Sequence, residues 1–434
     1  MSYSLDRTYA ERQDLEDPLA ALRLAFHLPR AVSAGEHAAV SSAAASGAYL
    51  CGHSLGLQPR EAARVLNEEL ERWACSAVEG HFHSPRPWLS YHERLTPALA
   101  TLAGAAPQEI VAMNTLTVNL HLMLISFYRP TPERYKILIE RRAFSSDRYA
   151  VASQVLQRGY DPSSAVLEIG PRDGEDLIRD EDICALIERE GARIATVLLP
   201  GVQYLSGQRF DMQAIATCAR RAGCTVGFDL AHAMGNVPLH LHDWNVDFAA
   251  WCGYKYLNGG PGAIGGCFVH ERHARAFELP RLAGWWGHEK ASRFEMPETF
   301  RPLPGAEGWQ LSNPPILAAA PLLASLPLFE RAGMEALRRK SISLTGYLEF
   351  LLQRRLAGSV AILTPSASQA RGCQLSLRLL RPRAEAHAAF ETLSAAGFIG
   401  DWREPDVIRV APVPLYNTHV EVWEFVAALE RCLT

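Results

Sequence analysis

The chain has 434 residues, 48% hydrophobic and 21% charged, with a formal net charge of −4. That balance suits a globular protein with one large core and a smaller companion, and it offers no footing for a nucleic-acid partner. The nine cysteines are odd in number and form no C-x-x-C pair, so a disulfide framework and a structural zinc or other metal site are not expected, and a reducing, cytoplasmic setting is.

In chain order, the first residues carry charge (Asp6, Arg7, Glu11, Arg12) where a secretory signal needs an apolar stretch, and no apolar run approaches the ~18 residues of a membrane span. An alanine-rich helical pattern and a small-residue loop (Ser41 to Gly47) come next. Residues 60–75 read as an amphipathic helix with Val65, Leu66, Leu70 and Trp73 on one face. Thr115 and Thr117 open an apolar helix over 115–128. Short apolar runs follow at Ile137–Ile139, Ala195–Leu199, Thr225–Phe228, Phe248–Trp251 and Cys267–Val269, each too brief for a helix. Helical periodicity at 147–158, 175–189 and 211–222 separates them. Strands alternating with helices predict an α/β domain on a largely parallel sheet. A Pro/Gly-rich stretch at 298–315 marks a boundary. Beyond it lie a helix-rich part (316–358), a strand at Leu375–Leu379, a helix near 384–396 and a strand at Ile408–Ala411, the pattern of a smaller α+β domain. The expected organisation is an N-terminal segment, 1–58, packing with the small domain, a large domain over 59–315, and a C-terminal small domain over 316–434.

Ligands of open α/β sheets bind beyond the carboxyl ends of the strands. Those ends here carry Phe144-Ser145-Ser146-Asp147, then Asp229-Leu230-Ala231-His232, then Gly253-Tyr254-Lys255. Lys255 follows an apolar strand and precedes a glycine run. Poor hydration at such an address lowers the pKa of an amine and makes it nucleophilic, as Schiff-base chemistry requires. A carboxylate closing a buried strand, like Asp229, needs a positive partner. A protonated pyridine nitrogen is one, and a protein lysine or arginine is the alternative. The start of the 115–128 helix, at Leu116 and Thr117, offers free N–H groups to a phosphate, and Phe144 could stack on a ring. No G-x-G-x-x-G or Walker lysine pattern signals a nucleotide.

These residues sit in stretches that resemble the kynureninase family of fold-type-I pyridoxal-phosphate enzymes: YLCGHSLGLQPR (49–60), MNTLTVNLHLML (113–124), YKILIERRAFSSDRYA (135–150), GFDLAHAMGNVPLHLHDWNVDFAAWCGYKYLNGGPG (227–262), GWWGHE (284–289), LSNPPI (311–316) and IRVAPVPLYN (408–417). The resemblance implies pyridoxal 5′-phosphate bound covalently at Lys255, with Asp229 on the pyridine nitrogen and Phe144 on the ring. It implies that Leu116, Thr117, Ser146, Asp147, His232 and Tyr254 line the cofactor. Trp285 and Asn313 would reach it from the second subunit of a homodimer, whose active sites then lie at the subunit interface. Arg409 would grip the substrate α-carboxylate. The implied reaction is hydrolysis of the Cβ–Cγ bond of L-kynurenine or its 3-hydroxy form to alanine and an anthranilate, within tryptophan catabolism and pyridine nucleotide biosynthesis. Lys255, Tyr254 and Asp229 are the expected catalytic residues. His81, Ser312 and Asn313 match the relatives that favour the 3-hydroxy substrate. Three positions depart from the family pattern: Pro200 in place of a serine, His53 in place of an asparagine, and one extra residue in Gly259-Gly260-Pro261. The rival expectation, a cysteine desulfurase or class V aminotransferase, is disfavoured because Cys373 opens an apolar strand instead of a mobile loop.

Overall fold

In the computed structural model, which describes residues 3–29, 47–83 and 85–433, the apolar runs are strands of one seven-stranded sheet. Across the sheet the strands are Ile110–Ala112, Gly266–Val269, Phe248–Trp251, Thr225–Asp229, Ile194–Pro200, Lys136–Glu140 and Val166–Ile169. Only Gly266–Val269 runs against its neighbours, and the rest are parallel. Phe248–Trp251 and Gly266–Val269 are buried at every position, as expected of a sheet covered on both faces, which is why these strands read as apolar runs without alternation. The intervening helices include Leu116–Phe127, Ser145–Gln157, Asp180–Glu190 and Met212–Arg221. The small-residue positions 41–46 lie outside the described residues.

The helix Arg60–Ser76 forms where amphipathic periodicity predicts it, but its inward face is different. Ala62, Val65 and Glu69 are buried, whereas Leu70 and Trp73 are 40% and 61% exposed. Glu69 wins an inward position because Trp88 Nε1 and Arg72 Nη1 both donate to its Oε2 at 2.9 and 2.6 Å, so its charge is met inside.

Two compact units divide the chain. One comprises Ala62–Val202 and Phe210–Pro327, and the other Met1–Glu61, Gln203–Arg209 and Leu328–Thr434. The division between Pro327 and Leu328 lies inside the helix Ile316–Ala332, whereas the expected boundary after residue 315 stands just before that helix. The Pro/Gly-rich stretch before it is packed and is not a linker: Ala306 and Trp309 are buried, and Trp309 Nε1 donates to Ser126 Oγ, which donates to the Pro280 carbonyl. The segment 203–209 belongs to the second unit through hydrogen bonds. Gln374 Nε2 donates to the carbonyls of Tyr204 and Leu205, and Thr364 Oγ1 donates to that of Ser206.

The second unit holds an antiparallel four-stranded sheet in the order Asp401–Arg403, Val407–Val410, Leu375–Leu379, Val360–Ile362. The helices Met334–Arg355, Arg383–Ala395 and His419–Leu433 supply Leu344, Leu348, Leu393, Phe425 and Leu429 to its core. Among the described residues no single helix is long and apolar enough to cross a membrane.

Candidate active site

The strands Lys136–Glu140, Thr225–Asp229 and Phe248–Trp251 are parallel, so their carboxyl ends share one edge of the sheet. Beyond Trp251 the backbone turns sharply. A Cβ on Gly253 would stand 2.2 Å from the Ile264 carbonyl oxygen, so only glycine permits this approach. The turn is closed by the amides of Asn258 and Gly259, which donate to the carbonyls of Lys255 and Gly253 at 2.9 Å each. Gly260 and Gly262 then take positive φ values of 80° and 74°, which accommodates the glycine-rich loop after the lysine.

This geometry brings Lys255 over the sheet edge. Its Nζ donates to His232 Nε2 at 3.1 Å and stands 6.0 Å from the ring centre of Phe144 and 5.9 Å from that of Tyr254. Phe144 precedes the helix Ser145–Gln157 and is 40% exposed, leaving part of its ring open. Two carboxyl groups near enough to feel the charge of Lys255, Asp147 and Asp229, are each only 6% exposed. Asp229 Oδ1 accepts the Ala231 amide at 2.7 Å.

Burial pushes the Asp147 carboxyl well above the usual carboxylate range, and the neighbouring Asp229 and Glu140 push it further, against the pull of Lys255. Burial also raises Asp229, partly offset by the Ala231 amide, Lys255 and a hydrogen bond from Asp147. Of these two acids sharing one buried site, Asp147 is thus the one whose charged form is more strongly disfavoured. Asp147 Oδ1 is buried and makes no hydrogen bond among the described residues. Burial, followed by the Cys252 thiol, pushes the Tyr254 phenol up, so it stays protonated through the neutral range.

A buried pair of carboxyl groups, a partly exposed phenyl ring and a primary amine fit pyridoxal phosphate, whose ring nitrogen is cationic when paired with a carboxylate. The phosphate has a matching cradle at the helix Leu116–Phe127. Its N-cap residue, Thr115, makes no side-chain capping bond, so the first-turn amides are not closed off by their own cap. The turn before it is fixed by Asn114, whose side chain donates to Asn119 Oδ1 and whose carbonyl accepts the Gly265 amide.

The other expected residues fall elsewhere. His81, whose Nδ1 lies 3.1 Å from the Val78 carbonyl, packs edge-on against Trp88. Trp285 meets Phe294 edge-on at 5.7 Å, and Phe294 lies 6.4 Å from Phe82. The three are 40%, 52% and 49% exposed and form an aromatic surface. Ser312 and Asn313 are exposed just ahead of the helix Ile316–Ala332. Pro200 ends its strand directly opposite Asp229. Arg409 and His53 belong to the second unit, both fully enclosed, at 1% and 0% exposure. Sequence reading missed Glu140, Cys252 and the groups around Arg409, namely Asp401 and Ser54. For Asp401 a signal existed: the turn Glu404-Pro405-Asp406 folds 401–403 back on 407–410 and sets Asp401 opposite Arg409.

The Kynureninase C-terminal domain family matches residues 337–429. The kynureninase of Myxococcus xanthus is 56% identical over 423 residues, covering 98% of this chain and 96% of that protein. That of Stenotrophomonas maltophilia is 54% identical over 430 residues, covering 99% of each. Among solved structures, the cysteine desulfurase CsdA of Escherichia coli superposes with a TM-score of 0.71 at 18% identity, over 96% of this chain and 98% of that one. A C-DES variant with glycine covalently linked to its PLP cofactor gives 0.72 at 18%, over 88% and 96%. These similarities in structure establish a shared fold.

Proposed function

The chain belongs to the kynureninase family of pyridoxal-phosphate enzymes and cleaves kynurenine, and we propose that the groups around Lys255 carry this cleavage, with 3-hydroxykynurenine as the preferred substrate. The observation that carries the reading is the convergence of Lys255 with His232, Phe144 and the Asp147–Asp229 pair at one sheet edge. When bound, pyridoxal phosphate supplies an electron sink in conjugation with the substrate α-carbon. Lys255 would be the attachment point, and its free amine would take the proton at that carbon. Asp229 would pair with the ring nitrogen, with Asp147 beside it as its buried neighbour. Phe144 would cover one ring face, and His232 steadies the lysine. The amides of Leu116 and Thr117, with Ser146, would hold the phosphate.

Water adds at the γ-carbonyl, the Cβ–Cγ bond breaks, and Cβ takes up a proton, so alanine and an anthranilate are released. Tyr254, kept protonated by burial and 5.9 Å from the lysine nitrogen (ring centre), is the proton donor. Arg409 holds the α-carboxylate, for which a planar guanidinium is suited. Trp285 and Asn313 serve the site of a second copy in a homodimer, which the exposure of the Trp285–Phe294–Phe82 surface favours. The nine free cysteines favour a cytoplasmic setting, and tryptophan catabolism feeding pyridine nucleotide synthesis is the proposed context. Against a desulfurase stands Cys373, which is 0% exposed and cannot act as a mobile nucleophile.

His81, Ser312 and Asn313 are the polar groups proposed to bond the extra ring hydroxyl, an arrangement that discriminates because the groups are left unmet without it. Comparison of kcat/KM for the two substrates tests this, with a higher value expected for 3-hydroxykynurenine. A clear advantage for kynurenine refutes the preference, and failure to release alanine without an added keto acid refutes the reaction.

A further inference from the structure

Arg409 is an unusual arginine for its place. It lies in the strand Val407–Val410, flanked by Asp401 on one neighbouring strand and Ser376 on the other, in direct register with both. It is 1% exposed, and burial pulls its pKa below the usual value for an arginine. A guanidinium taken out of water in this way needs a fixed counter-charge.

Asp401 supplies it. Arg409 Nη2 donates to Asp401 Oδ2 at 2.5 Å, while Nη1 donates to the Tyr204 carbonyl at 2.5 Å. Ser54 Oγ donates to the same Asp401 oxygen at 2.6 Å and accepts weakly from Nη2 at 3.3 Å. The other carboxylate oxygen is taken by Arg403 Nε at 2.9 Å, and His53 Nε2 lies 3.8 Å from Oδ2. Burial pushes the Asp401 carboxyl up, but Arg409 and Ser54 outweigh it and hold the group below the usual carboxylate range. Both terminal nitrogens of Arg409 are thus pinned, whereas its buried Nε makes no hydrogen bond among the described residues.

We propose that Asp401, braced by Ser54, is the positioning residue that holds the Arg409 guanidinium in one orientation for the substrate α-carboxylate. The proposal rests on reading Arg409 as the carboxylate-binding residue. Asp401 touches Arg409 and not the substrate, so its removal costs ground-state recognition of the carboxylate and leaves the chemical step in place. Competition between Asp401 and the substrate for the same arginine is the opposite reading, and it predicts tighter binding when the aspartate charge is removed.

The test uses the cofactor-loaded enzyme and the variants Asp401→Asn, Asp401→Glu, Ser54→Ala and Arg409→Gln. Two readouts are taken: kcat and KM for kynurenine, and equilibrium binding of L-alanine and of ethylamine followed by the absorbance of the bound cofactor. For Asp401→Asn, KM is expected to rise about tenfold with kcat changed by less than about twofold, a loss of uniform binding. Alanine affinity falls by a similar factor, and ethylamine, which lacks the carboxylate, binds as before. Asp401→Glu recovers part of the loss and Ser54→Ala shows a smaller loss of the same kind. Those two variants carry the test if Asp401→Asn does not fold. An unchanged or lowered KM in folded Asp401 variants overturns the proposal. If Arg409→Gln also leaves KM and alanine affinity intact, the reading of Arg409 itself is wrong. If Arg409→Gln abolishes both while the Asp401 and Ser54 variants change neither, only the positioning role is refuted.

Discussion

Replacing Asp147 by asparagine should stabilise the cofactor-free protein, and the gain should grow with pH. Asp147 is 6% exposed, and burial together with Asp229 raises its carboxyl well above the usual range. The native state therefore keeps a proton that the unfolded chain releases near pH ~3.9. With more protons bound in the native state, unfolding free energy falls as pH rises from that unfolded value toward the raised native one. The slope is at most about 1.4 kcal/mol per pH unit, so the cost at pH 7 has a ceiling of about 4 kcal/mol. Asparagine has the same shape, can donate to Asp229 as the protonated acid does, and holds no proton to lose. Equilibrium urea unfolding at pH 5, 6, 7 and 8, followed by tryptophan fluorescence, reads the difference. The expected gain is about 1 kcal/mol at pH 5 and larger at pH 7. An Asp147→Asn protein that is less stable than wild type, or a difference that stays flat with pH, refutes the protonated-pair argument.

Lys255→Ala should abolish turnover, leave a folded chain, and let the cofactor be removed by dialysis; borohydride reduction of the wild type should fix label on the peptide containing Lys255, and label elsewhere refutes the assignment. Glu109→Gln should destabilise the chain by about 2–3 kcal/mol in urea unfolding. Glu109 is fully buried, and its two oxygens accept the Ala106 and Glu271 amides at 2.8 and 2.7 Å and face His242 Nδ1 at 3.0 Å, whereas glutamine would turn an NH2 group toward one of those amides. The hydrogen bond to Glu109 raises the His242 pKa, so this contact stabilises below the unfolded histidine value of about 6.5 and is lost as pH rises through the raised native value. His242 is partly exposed, so the effect is screened and small. Glu109→Gln should remove it, and NMR titration of His242 in both proteins checks the sign.

The placement of Lys255 and Asp229 at one edge was legible in order along the chain because parallel strands place their carboxyl ends there. Once Phe248–Trp251 and Thr225–Asp229 are read as strands, Lys255 and Asp229 must emerge on the same side. The strands Ile110–Ala112, Val166–Ile169 and Val360–Ile362 went unread although Phe248–Trp251 is no longer than the longest of them, and pairing with neighbours decides them. Burial was also decided by packing. The helix pattern at 60–75 placed Leu70 and Trp73 on an apolar stripe, yet the inward slot went to Glu69 because Trp88 and Arg72 met its charge. The sequence by itself determined which residue types stand at the strand ends, Lys255 among them, since local order sets those. Only the tertiary structure decided that Asp147 and Asp229 are buried close enough to perturb each other and that Asp401 pins Arg409, because charge coupling and ion pairing depend on distance and burial, which no spacing along the chain contains.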